Sequence, residues 1–110
     1  MSTRPLLVYC TCPDPEIALQ LAETLVDQGL AACASMVPGL TSVYRWQGQR
    51  ETARETLLLI KTSRALYPQL ETVIVALHPA ELPEIIAVPI EAGLPAYLAW
   101  IEHSTGVTNT

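Results

Sequence analysis

The sequence predicts an α+β fold: one antiparallel sheet, two helices on one of its faces, and a short extra helix at the C-terminus. Three observations carry that expectation. Strand-like and helix-like apolar patterns follow one another as β-α-β-β-α-β-α between Pro5 and His103. The chain has 110 residues, the size of a single domain. Half of its residues are hydrophobic and only 15% are charged, which suits a packed core and excludes a disordered acidic tail or linker.

The elements follow in order. Leu6 to Cys12 reads as a strand that Pro13 ends. Asp14 caps a helix with Pro15 at its first position and Glu16 in its first turn. Ile17, Ala18, Leu21, Ala22, Leu25 and Val26 recur at helical spacing, and Gly29 closes that helix. Leu30 to Val37 is expected as the second strand, bent at Pro38-Gly39 and resumed from Thr41 to Trp46. Gln47 to Arg50 is read as a hairpin turn, and Glu55 to Thr62 as the third strand. Ser63 is expected to cap the second helix, with Pro68 near its start and His78-Pro79 at its end. Glu84 to Ile90 reads as a fourth strand, at a sheet edge because prolines flank it. Pro95 to about His103 completes the set as a helix. The first six elements make the split βαβ pattern of a ferredoxin-like sandwich. Residues 1–104 are expected to form one domain, and 105–110, small and polar, a flexible tail.

Charge excludes some functions. Six basic side chains face eleven acidic ones, for a net charge of −5. Residues 65–110 hold five glutamates and no basic residue, and the chain has a single lysine, Lys61. A nucleic-acid partner needs clustered Lys and Arg, so none is expected. No apolar run approaches the ~20 residues that span a bilayer, so no membrane partner is expected either. Three cysteines without a recognisable leader point to reduced thiols and a cytoplasmic location.

The strands also bear on assembly. Leu57 and Leu59 alternate with Leu58 and Ile60, and Leu6, Val8 and Cys10 alternate with Leu7 and Tyr9. Both faces of the sheet are therefore apolar, whereas two helices cover one. Self-association is the expected cover for the other, in a homo-oligomer.

Few residues invite chemistry. Cys10 and Cys12 share one strand face and offer soft thiolates suited to Cu(I) or zinc, although burial as small core residues is the simpler reading. His78 is a candidate metal ligand or a partner for the end of its helix. Tyr44 and Trp46 fall on one face of the second strand, and Glu81 lies beside Glu84 in a loop. No nucleophile and base stand at a catalytic spacing, so an enzyme is not expected.

Five blocks together resemble the CutA family of divalent-cation tolerance proteins: Cys-Thr-Cys-Pro-Asp at 10–14, Leu-Ala-Ala-Cys at 30–33, Pro-Gly-Leu-Thr-Ser-Val-Tyr-Arg-Trp-Gln-Gly at 38–48, Leu-Leu-Leu-Ile-Lys-Thr at 57–62, and His-Pro-Ala-Glu-Leu-Pro-Glu at 78–84. The resemblance runs from about Leu6 to Ile101. It implies a ferredoxin-like homotrimer with sheets packed inward, and copper or another divalent metal ion bound through Cys10 and His78. Cys12 or a neighbouring subunit would then complete the coordination. Ala80 stands where the family usually has tyrosine, Leu77 where some members carry a second histidine, and Ser35 where asparagine is usual. The alternative is similarity to the PII signalling trimers. It implies a small-molecule ligand in a cleft between subunits, lined by Tyr44, Trp46, Lys61, His78 and Glu81.

Overall fold

A computed structural model describes residues 4–105. Its elements are β1 (Pro5–Cys12), α1 (Pro15–Asp27), β2 (Cys33–Trp46), β3 (Gln49–Ser63), α2 (Tyr67–Leu77), β4 (Ile85–Pro89) and α3 (Pro95–Ser104), with one turn of 3₁₀ helix at Arg64–Leu66 before α2. The strands form one sheet in the order β2-β3-β1-β4, every neighbouring pair antiparallel. This is the expected α+β architecture with its extra C-terminal helix.

α1 forms where local chemistry directs it. An Asp14 carboxylate oxygen accepts the Ile17 N–H at 2.9 Å, and Pro15 begins the first turn. At the other end Gly29 takes φ +71°, its N–H donates to the Val26 carbonyl at 3.0 Å, and Leu30 donates to the Leu25 carbonyl at 2.9 Å. That pair of bonds is a Schellman closure. It explains one correction: Leu30 to Ala32 close the helix instead of starting a strand, and β2 begins at Cys33.

The β2–β3 hairpin also departs from expectation. Its turn is only Gln47-Gly48, with φ +52° and +80°, and Gln49 and Arg50 already pair with Trp46 and Arg45. β3 therefore starts at Gln49, six residues before Glu55. The outer arm has no buried face to impose an apolar alternation, which hid it from a periodicity reading. At Pro38-Gly39 the register shifts by one, so that Val37 pairs with Leu57 but Leu40 pairs with Glu55. This is the expected interruption, a β-bulge.

Ser63 corrects another expectation. It is extended, it precedes the 3₁₀ turn, and its side chain makes no capping bond. Pro68 does lie in the first turn of α2, and His78, extended before Pro79, ends it. The expected tail begins at Thr105, yet Thr105 is buried and its hydroxyl donates to the Ile101 carbonyl at 2.9 Å, so it belongs to the end of α3. Residues 106–110 lie outside the described residues.

The core lies between the sheet and α1 and α2. Val8, Cys10 and Cys12 from β1 and Leu58 and Ile60 from β3 meet Leu21, Leu25, Leu70 and Ile74. α3 packs against β1 and β3 with Ile101 fully buried, but contributes nothing to that core. On the opposite sheet face Leu7, Tyr9, Leu57 and Leu59 are half-buried, and Ile86 and Val88 are 54% and 42% exposed. A second apolar face is present, as the strand patterns imply.

Candidate metal centre and the adjoining cleft

β1 projects Cys10 and Cys12 toward the helices, and both are completely buried. His78, at the exit of α2, turns back over the end of β1. Its Nε2 lies 2.8 Å from the Thr11 carbonyl oxygen, and its Nδ1 lies 3.0 Å from the Ala80 N–H. An amide N–H can only donate, so Nδ1 accepts and Nε2 carries the proton that it donates to Thr11. The bond from Ala80 is to backbone, so alanine in place of the family's tyrosine leaves it intact.

The donor atoms of Cys10, Cys12 and His78 lie within 4.8 Å of one another. Two thiols and an imidazole, sealed from water, form a soft donor set that fits Cu(I) or zinc. The fit has one stated cost: a metal needs a free lone pair on the ring, so one of the two histidine hydrogen bonds must open. The thiols are poised unequally. Cys12 is held below the usual thiol range chiefly by its side-chain hydrogen-bonding interaction with Cys10. That same bond pushes Cys10 far up, with burial and then the neighbouring Cys12, Glu84 and Glu55 charges adding to it.

On the other side of the same strand end lies an open cleft of about 620 Å³. Its walls include Tyr44 and Trp46 from the hairpin arm, Glu55 from β3, and Glu81 and Glu84 from the loop after α2, with Thr11 and His78 where it meets the metal centre. Tyr44, Trp46, His78 and Glu81 are thus brought together as the alternative reading expects. Lys61 is not. It lies farther along β3, where its Nζ approaches the Cys33 sulfur at 3.6 Å. Cys33 likewise stands apart from the other two cysteines and is partly exposed.

Sequence reasoning missed Glu55 and Thr11 as cleft residues and noted Glu84 only as the neighbour of Glu81. Glu55 and Glu84 are far apart in the chain, and only the pairing of β3 and β4 with β1 aligns them. Thr11 carried a signal: between two buried cysteines on a strand, it must face the opposite way.

The family model described as "CutA1 divalent ion tolerance protein" matches residues 6–104. A divalent-cation tolerance protein CutA of Thermus thermophilus is 47% identical over 100 residues, covering 91% of this chain and 97% of its own. The mouse protein CutA is 40% identical over 97 residues, and the chain spans about half (55%) of its length. Among solved structures, the Thermus thermophilus Cut A1 protein superposes with TM-score 0.91 at 46% identity, covering 93% of this chain and 99% of that one. CutA1 from Oryza sativa superposes with TM-score 0.93 at 39% identity, covering 97% and 98%.

Proposed function

The chain belongs to the CutA1 divalent ion tolerance family, and from that premise we propose that it is a copper-binding tolerance protein working as a cytoplasmic homotrimer. Cys10 and His78 are the principal ligands, and Cys12 completes the set. The observation that carries this reading is the convergence of Cys10, Cys12 and His78, all buried, from β1 and from the end of α2. A buried histidine between two thiols has no packing advantage over an apolar side chain, and its ring is already oriented by hydrogen bonds on both nitrogens. Thiolates select copper in its reduced state, and a reducing cytoplasm keeps both thiols available. The reading is one of binding, not catalysis: the relatives are named for tolerance, and the cluster offers ligands rather than a nucleophile with its base.

The trimer is supported by the apolar sheet face described above. Ile86 and Val88 on β4 and Val37 on β2 stand exposed beside half-buried Leu7, Tyr9, Leu57 and Leu59.

Native mass spectrometry of the reduced protein, before and after addition of copper, tests both parts together. The expected result is a mass of three chains that gains up to three copper ions. In a Cys10→Ser/His78→Ala variant the trimer should persist and the copper should be lost. Equal copper uptake by that variant would overturn the metal site. A monomer mass in the unmodified protein would overturn the assembly.

A further inference from the structure

The His78 ring also closes the turn that follows α2. A neutral imidazole has one N–H and one lone pair, on different nitrogens. In this ring both are committed: Nδ1 accepts the Ala80 N–H at 3.0 Å, and Nε2 donates to the Thr11 carbonyl oxygen at 2.8 Å. Both bonds run to backbone groups of the same chain, so the count does not depend on what packs against the outside of the subunit. The turn has little else to hold it. Among the described residues, no other backbone group of residues 79–84 is hydrogen-bonded.

A ligand atom must offer its lone pair, and two routes provide one. If Nδ1 becomes the ligand atom, the lone pair that held the Ala80 N–H is taken. If Nε2 becomes the ligand atom, the ring proton relocates to Nδ1, where it meets the Ala80 N–H donor against donor. The first route keeps the Thr11 bond and the second breaks it, but the Ala80 bond opens in both. Only a ring stripped of its proton could spare it. Such a ring would add negative charge between two buried thiols that Glu55 and Glu84 already act on, which a site closed to water opposes.

With His78 as a metal ligand, the reading on which this rests, we propose that the residue works as a latch: its ring holds the 79–84 turn closed in the metal-free protein and releases it when the ring becomes a ligand. Occupancy of a buried centre is thereby converted into a change of order between α2 and β4. By linkage the coupling runs both ways, so whatever clamps the turn shut weakens metal binding.

The test is proton–nitrogen NMR of the reduced, nitrogen-15-labelled protein, without metal and with about one equivalent of copper(I) per chain in the absence of oxygen. Copper(I) is diamagnetic, so amides beside it stay visible. The Ala80 amide should be protected from hydrogen exchange at first and should exchange about tenfold faster or more once copper(I) is bound. The Leu30 amide, whose bond closes α1, should not change. In His78→Ala the Ala80 amide should exchange at the faster rate from the start, and copper(I) should not alter it. Ring spectra of the metal-free protein should place the His78 proton on Nε2. A proton on Nδ1 there would overturn the latch, as would a copper-induced change at Ala80 that persists in His78→Ala. Copper(I) bound, by native mass, with Ala80 still protected removes the latch and leaves the metal centre standing. No copper uptake at all removes both.

Discussion

Ser63 carries a buried hydroxyl that, alone among the side-chain oxygens and nitrogens of the described residues, is both enclosed and without a partner. A polar group in that position has lost its water and received nothing in return. Ser63→Ala should therefore raise stability, by about 1 kcal/mol, seen as a higher melting temperature. A lower one would reveal a partner for the hydroxyl. Asp14 is the opposite case, since its side chain does bond the helix it precedes. Asp14→Ala should cost about 1 kcal/mol in the same measurement. Both residues looked like helix caps in the sequence. The difference is that Asp14 leads directly into an α-helix, whereas Ser63 still belongs to the sheet and a 3₁₀ turn intervenes. Sequence could name Cys10 and His78 separately as possible ligands, but could pair them only through a family likeness. Nothing in their spacing shows that a loop 67 residues after Thr11 returns to bond it.

Among the elements, α2 makes a prediction about pH. Its first residue, Tyr67, donates its hydroxyl to Glu71 one turn on at 2.9 Å. Burial first, and then that bond and the carboxylate's charge, push the phenol from 10.0 up to about 12. Folding thus favours the protonated phenol. Its stabilising effect is fully present below the unfolded value and fades as pH rises toward the folded one. An ultraviolet titration of tyrosinate should show a late-ionising group that disappears in Tyr67→Phe, and if the variant titrates identically the assignment fails. The elements that sequence made legible, α1 and the inner halves of β1 and β3, are those with one face against the core. Of the outer hairpin arm, the β2 side from Thr41 to Trp46 was legible, whereas the β3 side before Glu55 escaped because it is polar and carries no apolar rhythm.

For the whole molecule, the two faces of β3 should respond differently to the same change. Leu58 is fully buried under the helices, whereas Leu59, its neighbour, is half-buried on the opposite face. Leu58→Arg should abolish folding, because a buried unpaired charge exceeds the margin of a small domain. Leu59→Arg should leave a folded chain, by circular dichroism, that sediments as a monomer. A Leu59→Arg protein that sediments at the same mass as the unmodified protein would place any subunit contact elsewhere. Extents of 48 × 26 × 23 Å reflect the reach of the β2–β3 arm, and the bulge at Gly39 governs what that arm displays. Before it, the odd-numbered residues of β2 share the open face with Leu57 and Leu59; beyond it, the even-numbered ones do. The strand is thus written in two phases joined at one residue. A chain lacking Gly39 would keep every other letter and yet turn Tyr44 and Trp46 to the reverse side of the ribbon, leaving the carboxylates of the cleft without their aromatic wall.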